Sequence, residues 1–245
     1  MRSALRLIAA LCLAVGCAVA LTACSNTSRL NLRCITGDLQ RCRQLGDMYA
    51  TGNEVPQDLV RAASLYERVC EAGVAEVCNT LGEIYERVPG FESESTRVLE
   101  LYDRACHAGS ATGCLNSGLQ AASREEYGQA ASLFDRACTN GAEAGCHHLG
   151  GLYRNGDGVE KDMTRAVALY EQACNADLVV SCDALATLFA EGKDVEPDGA
   201  RAGRYLARIV EFYTLGCEAG VERDCRERDR YRSRAALHAQ QAQGR

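Results

Sequence analysis

The chain has 245 residues, with 27 basic and 33 acidic side chains and a net charge of −6 at neutral pH. Only two of the basic residues are lysines, Lys161 and Lys193, and an acidic chain of this kind is a poor candidate for gripping a phosphate backbone, so no nucleic-acid partner is expected. No tryptophan, three prolines and abundant Ala, Leu, Glu and Arg predict an all-α body.

Residues 1–23 have the layout of a secretory signal: Arg2 and Arg6 in front, an apolar run from Leu7 to Val19, then small residues. That run is too short to span a bilayer comfortably. Cys12 and Cys17 fall inside it. The segment Leu21-Thr22-Ala23-Cys24 resembles the bacterial lipobox, which implies that Cys24 is lipidated and becomes the first mature residue. The alternative, an ordinary cleaved signal with a cysteine near its end, fits the polar stretch Ser25 to Ser28 less well. The resemblance further implies that Ser25 does not retain the protein at the inner membrane. The expected address is the outer membrane, facing the periplasm, with residues 24–33 as a tether.

The other twelve cysteines form six couples with one spacing, eight residues: Cys34/Cys42, Cys70/Cys78, Cys106/Cys114, Cys138/Cys146, Cys174/Cys182 and Cys217/Cys225. First cysteines follow one another at 36, 36, 32, 36 and 43 residues, a period that marks stacked helical repeats. Four residues before each later first cysteine stands Tyr66, Tyr102, Phe134, Tyr170 or Tyr213. Five before it stands Leu65, Leu101, Leu133, Leu169 or Phe212, and eight before it Ala62, Val98, Ala130, Ala166 or Ile209. This is one apolar stripe on a helix, called B.

A second helix, A, follows each second cysteine. It carries Leu45-Gly46, Leu81-Gly82, Leu149-Gly150 or Leu185-Ala186, and three residues later Tyr49, Tyr85, Tyr153 or Phe189; the third repeat has Ala121 there. The small residue predicts a close approach of the neighbouring helix. Turn-rich stretches such as Gly52 to Pro56, Asn155 to Gly158 and Gly192 to Val195 separate A from B. Three residues after the first cysteine come Gly37, Gly73, Gly109, Gly141 and Gly220, with Asp177 the exception, at the left-handed stop expected for helix B.

Cysteines eight apart on a continuous helix would be about 12 Å apart along the axis, beyond the roughly 7 Å reach of a disulfide. A chain reversal at the glycine brings the last turn of B to the first turn of the next A, so each couple can close locally. Zinc is the weaker reading, because its sites gather four ligands over short spacers. Disulfides fit an exported chain. The long period places seven extra residues in Arg201 to Phe212, predicting a longer helix B, and the short one predicts a trimmed A-to-B connection near Ser123 and Arg124.

From Leu149 through Gly156-Asp157-Gly158-Val159 to Ala166-Val167-Ala168-Leu169-Tyr170-Glu171-Gln172-Ala173-Cys174 the chain resembles the Sel-one-like (SLR) repeat, a relative of the tetratricopeptide repeat. With its cysteines it is similar to the Helicobacter cysteine-rich protein group. The resemblance implies a right-handed α/α solenoid over residues 34–232, with disulfides joining each B to the following A and a concave surface used for binding. Residues 233–245 read as a polar tail. Penicillin binding and weak β-lactam hydrolysis are the activities that the resemblance brings as an alternative.

The residues offer that alternative little. No serine stands three residues before a lysine and no Lys-Thr-Gly occurs, so the serine β-lactamase set is missing. His107, His147, His148 and His238 form no His-x-His-x-Asp, and the adjacent His147 and His148 point about 100° apart on a helix, so no metal or other cofactor is expected. Acidic residues Glu92, Glu94, Glu125 and Glu126 read as helix starts. Arg226, Arg228, Arg230, Arg232 and Arg234 read as a polar cap closing the stack, or more sharply as a surface for anionic lipid or peptidoglycan. The resulting expectation is a monomeric envelope scaffold whose groove, lined by helix A, takes a protein, a peptide or a peptidoglycan component.

Overall fold

The computed structural model of the protein describes residues 17–88 and 96–243, with side chains described over 26–88 and 96–238. Among these residues there are twelve helices and no strand. They are α1 (Cys17–Ile35), α2 (Leu39–Thr51), α3 (Leu59–Glu71), α4 (Ala75–Arg87), α5 (Thr96–His107), α6 (Ala111–Ser123), α7 (Tyr127–Thr139), α8 (Glu143–Asn155), α9 (Met163–Asn175), α10 (Val179–Glu191), α11 (Gly199–Glu218) and α12 (Glu222–Gln243). Even-numbered helices are the A type and odd-numbered the B type. The chain divides into two compact units, one ending at Gly113 and one beginning at Cys114.

The sequence signals act where they were read. Asp38, Asp58, Asp162 and Asp198 cap α2, α3, α9 and α11, each side chain accepting from the backbone N–H three residues on, a contribution of about 1 kcal/mol per cap. The glycines after the first cysteines hold φ between 87° and 100°. Asp177 takes the same left-handed turn at φ 64°, and its carboxylate accepts from Arg208 Nη2 at 2.9 Å.

Each reversal brings its cysteines together. Cys34 is bonded to Cys42, Cys70 to Cys78, Cys138 to Cys146, Cys174 to Cys182 and Cys217 to Cys225, with Cα atoms 4.6 to 4.8 Å apart in each couple. Cys106 and Cys114 are disulfide-bonded as well. Cys42, Cys146 and Cys182 are at most 2% exposed, so these sulfurs are part of the core as well as cross-links. Cys217 and Cys225 differ in being only half-buried, because among the described residues no further B helix follows α12 to cover them.

Within each unit, A packs on B through a small residue under a ring. A Cβ on Gly46 would lie 2.6 Å from the Tyr66 ring and one on Gly82 2.6 Å from the Tyr102 ring; in the second unit the corresponding values are 2.6 Å for Gly118 under Phe134 and 3.1 Å for Gly150 under Tyr170. The third repeat therefore keeps the contact. Gly118 escapes the Leu-Gly pattern because Ser117 stands in place of leucine.

The two irregular periods resolve as expected in length. Helix α11 has 20 residues against 13 in α3, α7 and α9, and the α6-to-α7 link is residues 124–126, against 52–58 and 156–162 elsewhere. The register within α11 differs from the sequence reading. Counting back from Cys217 put Phe212 on the buried stripe, yet Phe212 is 42% exposed. The N-cap sets the register instead: Ala202 and Leu206 stand at the distances from Asp198 that Ala166 and Tyr170 keep from Asp162, and Leu206 joins Ala186 in one buried cluster. Leucine against alanine thus replaces aromatic against glycine.

Two boundaries also fall elsewhere. Residues 24–33, expected as a tether, are helical within α1, with Leu30 buried against Leu45 and Met48 of α2. The break expected after residue 232 lies inside α12, where Arg234 pairs with Asp183 and donates to Thr187 Oγ1 of α10 at 2.7 Å. Residues 1–16 with Cys12, the side chain of Cys24, and Glu92 and Glu94 lie outside the described residues.

Candidate functional site

The same N-cap that starts a B helix also aims an arginine. In α3 and α9 the residue three after the cap is Arg61 or Arg165, paired with its own Asp58 or Asp162 at 3.1 and 3.3 Å. The guanidinium lies over the aromatic ring of the preceding A helix: Arg61 over Tyr49 at 5.5 Å, Arg165 over Tyr153 at 5.4 Å and, in α11, Arg201 over Phe189 at 3.9 Å. Such cation–π contacts contribute about 0.5–1 kcal/mol when exposed. The side chains of Arg61 and Arg165 remain 66% exposed, so each also offers its charge to solvent. In the second repeat the Tyr85 hydroxyl donates to Glu67 at 2.8 Å, and Arg97 lies 3.8 Å from that carboxylate.

These arginines edge clefts. In the first unit a cavity of about 380 Å³ is walled by Thr27, Ser28 and Asn31 of α1, Tyr49 of α2, and Arg61 and Ser64 of α3. In the second unit a larger one, about 740 Å³, is walled by Val167, Ala168 and Glu171 of α9, Phe189 of α10, the turn Val195 to Gly199, and Arg201. The two are the same place in the repeat. Thr27, Ser28 and Asn31 stand seven, six and three residues before Cys34, as Val167, Ala168 and Glu171 stand before Cys174. A third cavity, about 590 Å³, surrounds Tyr153, Lys161 and Arg165.

Each of the two matched clefts combines a cation with a polar side chain from the preceding B helix, beside an aromatic ring that in the larger cleft, Phe189, is 3% exposed beneath Arg201. In the larger one that polar group is Glu171, which accepts from Arg201 at 2.9 Å and from the Tyr205 hydroxyl, while Val167, Val195 and Pro197 supply an apolar wall. The walls of these clefts differ from the groove expected along helix A. B helices and A-to-B turns form most of the walls, because A spends its small-residue face on the ring of its partner and contributes mainly the aromatic near its C-terminal end.

The disulfides lie away from these clefts. Cys42, Cys78, Cys114, Cys146, Cys182 and Cys225 sit in the first turn of α2, α4, α6, α8, α10 and α12, whereas Tyr49, Tyr153 and Phe189 stand seven residues further on, toward the other end of their helices. The cysteines therefore staple one end of each hairpin and leave the other end to the arginine and the ring. None of them lines the three cavities.

A family model described as the Sel1 repeat matches residues 42–74, 144–178 and 179–209, the segments whose packing is given above. The chain carries Sel1 repeats over these three segments. The crystal structure of c5321, a protective antigen present in uropathogenic Escherichia coli strains displaying an SLR fold, is 19% identical with a TM-score of 0.69 over 88% of this chain. This chain spans 47% of that protein's length. A Sel1 repeat protein from Oxalobacter formigenes is 21% identical with a TM-score of 0.63, covering 82% of this chain and 89% of its own. Helicobacter pylori cysteine rich protein B is 25% identical over 53% of this chain and 96% of its own, with a TM-score of 0.42. No curated protein sequence matches.

The remaining polar features of this repeat protein are structural. His147 Nδ1 lies 2.8 Å from Ser181 Oγ, joining α8 to α10, and His148 stacks on Phe134 at 5.0 Å. Burial, and secondly the neighbouring His148, push the His147 pKa down to about 4, so the ring is neutral at physiological pH. No group of three or more metal-ligand side chains gathers among the described residues. Arg226, Arg228, Arg230 and Arg232 pair with Glu222, Asp229, Glu227 and Asp229 at 3.1, 2.9, 3.4 and 3.8 Å, and Arg234 pairs with Asp183. No described helix is long and apolar enough to cross a membrane.

Proposed function

We propose that this repeat protein is an envelope lipoprotein that holds segments of a partner protein or peptide in its arginine–aromatic clefts. The observation that carries the binding role is the recurrence of one cleft at one register in separate repeats, with Arg61 over Tyr49 in the first unit and Arg201 over Phe189 in the second. The Arg61 side chain stays 66% exposed above its ring, so its charge is open to a ligand. A cation, an aromatic face, an apolar wall and a carboxylate suit a peptide, whose backbone and mixed side chains use all four. The disulfides fit an extracytoplasmic, oxidising compartment. The lipobox-like Leu21 to Cys24 supports an anchor at Cys24 in the outer membrane, facing the periplasm.

A photo-crosslinking residue at Ala168 in the large cleft, activated in intact envelopes, should trap a discrete protein. Glu171→Ala with Arg201→Ala, both partly exposed in the cleft, should reduce that product at least several-fold at equal protein level. Crosslinks to peptidoglycan fragments alone, or a protein product indifferent to both substitutions, would overturn the reading. Intact mass of the purified mature chain reports the lipid.

A further inference from the structure

The first B helix breaks the pattern of the next four on the face it turns away from the fold. In α1 only Leu30 and Cys34 are buried among residues 26–35. At 100° per residue Leu32 points opposite to them, with Ser28 and Ile35 beside it and Arg29 and Arg33 on one flank. Leu32 and Ile35 are each 64% exposed.

The positions they occupy are polar in the following four B helices, whereas α11 carries Leu215, 67% exposed, at the first of them and Glu218 at the second. Two residues before the first cysteine α3, α5, α7 and α9 carry Arg68, Arg104, Arg136 and Gln172; one residue after it they carry Glu71, His107, Thr139 and Asn175. The opposite exchange occurs at the position that packs on a preceding A helix. Five residues before the cysteine those helices have Leu65, Leu101, Leu133 and Leu169, whereas α1 has Arg29. Among the described residues no A helix precedes α1, so loss of leucine there is expected. Gain of leucine and isoleucine on the solvent side is not, because neither touches the fold's core.

An apolar strip edged by arginines on one helix is the composition that lies in a membrane interface. Resting on the lipoprotein reading, we propose that this face of α1 lies on the anionic headgroups of the membrane that holds the lipid on Cys24. The helix is held close to that surface. Asn26, two residues past Cys24, already donates to Glu54 at 3.1 Å, so about 3 Å of helix separates anchor from fold. Arg29 and Arg33 meet the negative leaflet, where cationic side chains are attracted within a Debye length, and Leu32 and Ile35 enter the headgroup boundary.

The chain has no tryptophan, so Leu32→Trp gives a single probe at an exposed position, and Gln172→Trp gives the register-matched control on α9. Both are prepared as full-length mature protein in phosphatidylethanolamine/phosphatidylglycerol vesicles carrying a headgroup nitroxide. The probe at 32 should be quenched roughly threefold more than the one at 172, and less in vesicles of phosphatidylcholine alone. Insertion of about ten Gly/Ser residues between Ser25 and Asn26 should leave that quenching in place, because the face itself binds. Loss of quenching on insertion, or equal quenching at 32 and 172 in a chain whose mass shows the lipid, overturns the docking. A blue-shifted, concentration-dependent emission at 32 without vesicles assigns the face to a second copy and overturns it too. A mass without lipid removes the anchor reading instead.

Discussion

Gly118→Ala tests the packing rule of the repeat. The added Cβ would sit 2.6 Å from Phe134 Cε1 and 2.7 Å from Cδ1, so the ring must retreat by several tenths of an ångström, and Phe134 is 2% exposed and stacked on His148 at 5.0 Å. Overpacking of this kind costs about 1–3 kcal/mol. Replacing a mid-helix glycine by alanine recovers up to about 1 kcal/mol, leaving a net loss of about 1–2 kcal/mol. Phe134→Leu alone loses packing and costs about 1 kcal/mol. Together the two substitutions reproduce the arrangement that the fifth repeat uses, Ala186 against Leu206, so the double variant should be more stable than the sum of the single effects by about 1 kcal/mol. Urea unfolding of the oxidised chain, followed by far-UV circular dichroism, measures all four members of the cycle. Gly151→Ala is the control: its Cβ meets nothing nearer than Tyr170 Oη at 3.6 Å, and it should stabilise by about 0.5–1 kcal/mol. A Gly118→Ala variant as stable as its parent, or strict additivity in the cycle, would refute the small-residue-under-ring account.

Three further outcomes follow. Replacing Cys70 and Cys78 together by serine opens a loop of about nine residues and should cost about 2.5 kcal/mol, read as a lower urea midpoint in the first unit; no change would mean that the staple adds nothing to the folded hairpin. His147 has its pKa depressed from the ordinary 6.5 to about 4 in the fold, so the unfolded chain binds the proton more readily, and stability should be full above pH 6.5 and decline as pH falls toward 4. His147→Asn should flatten that part of a pH–melting profile, and an unchanged slope would exclude His147 as its source. Asp162→Ala removes the cap of α9 and the ion pair that aims Arg165; it should cost about 1 kcal/mol and weaken crosslinking at the Tyr153 cleft, and full retention of both would contradict the aiming role.

Much of the fold was legible because its punctuation is local. Gly37, Gly73, Gly109, Gly141 and Gly220 stop a helix wherever they stand, since a left-handed residue costs glycine little; the eight-residue cysteine spacing then needs only the reversal to close. The site was less legible. Tyr49, Tyr153 and Phe189 were visible as a periodic aromatic and Arg61, Arg165 and Arg201 were not singled out, although Asp-x-x-Arg at the start of a B helix was available as a signal. Gly118 is hidden from the Leu-Gly pattern by its neighbour Ser117, and Phe212 leaves the buried stripe because the register of α11 is set from Asp198 and not from Cys217.

The amino-acid sequence by itself determined the helices from α2 onward, their order, the reversals and the cysteine partners, because each depends on residues within a turn or two of one another, whereas the helical course of residues 24–33 was not legible in it. Only the tertiary structure decided which end of the long α11 keeps register with its neighbour, which face of α1 is left uncovered, and that B helices and turns wall the clefts. Those outcomes depend on contacts between helices far apart in sequence, where packing chooses among registers that the local signals allow equally.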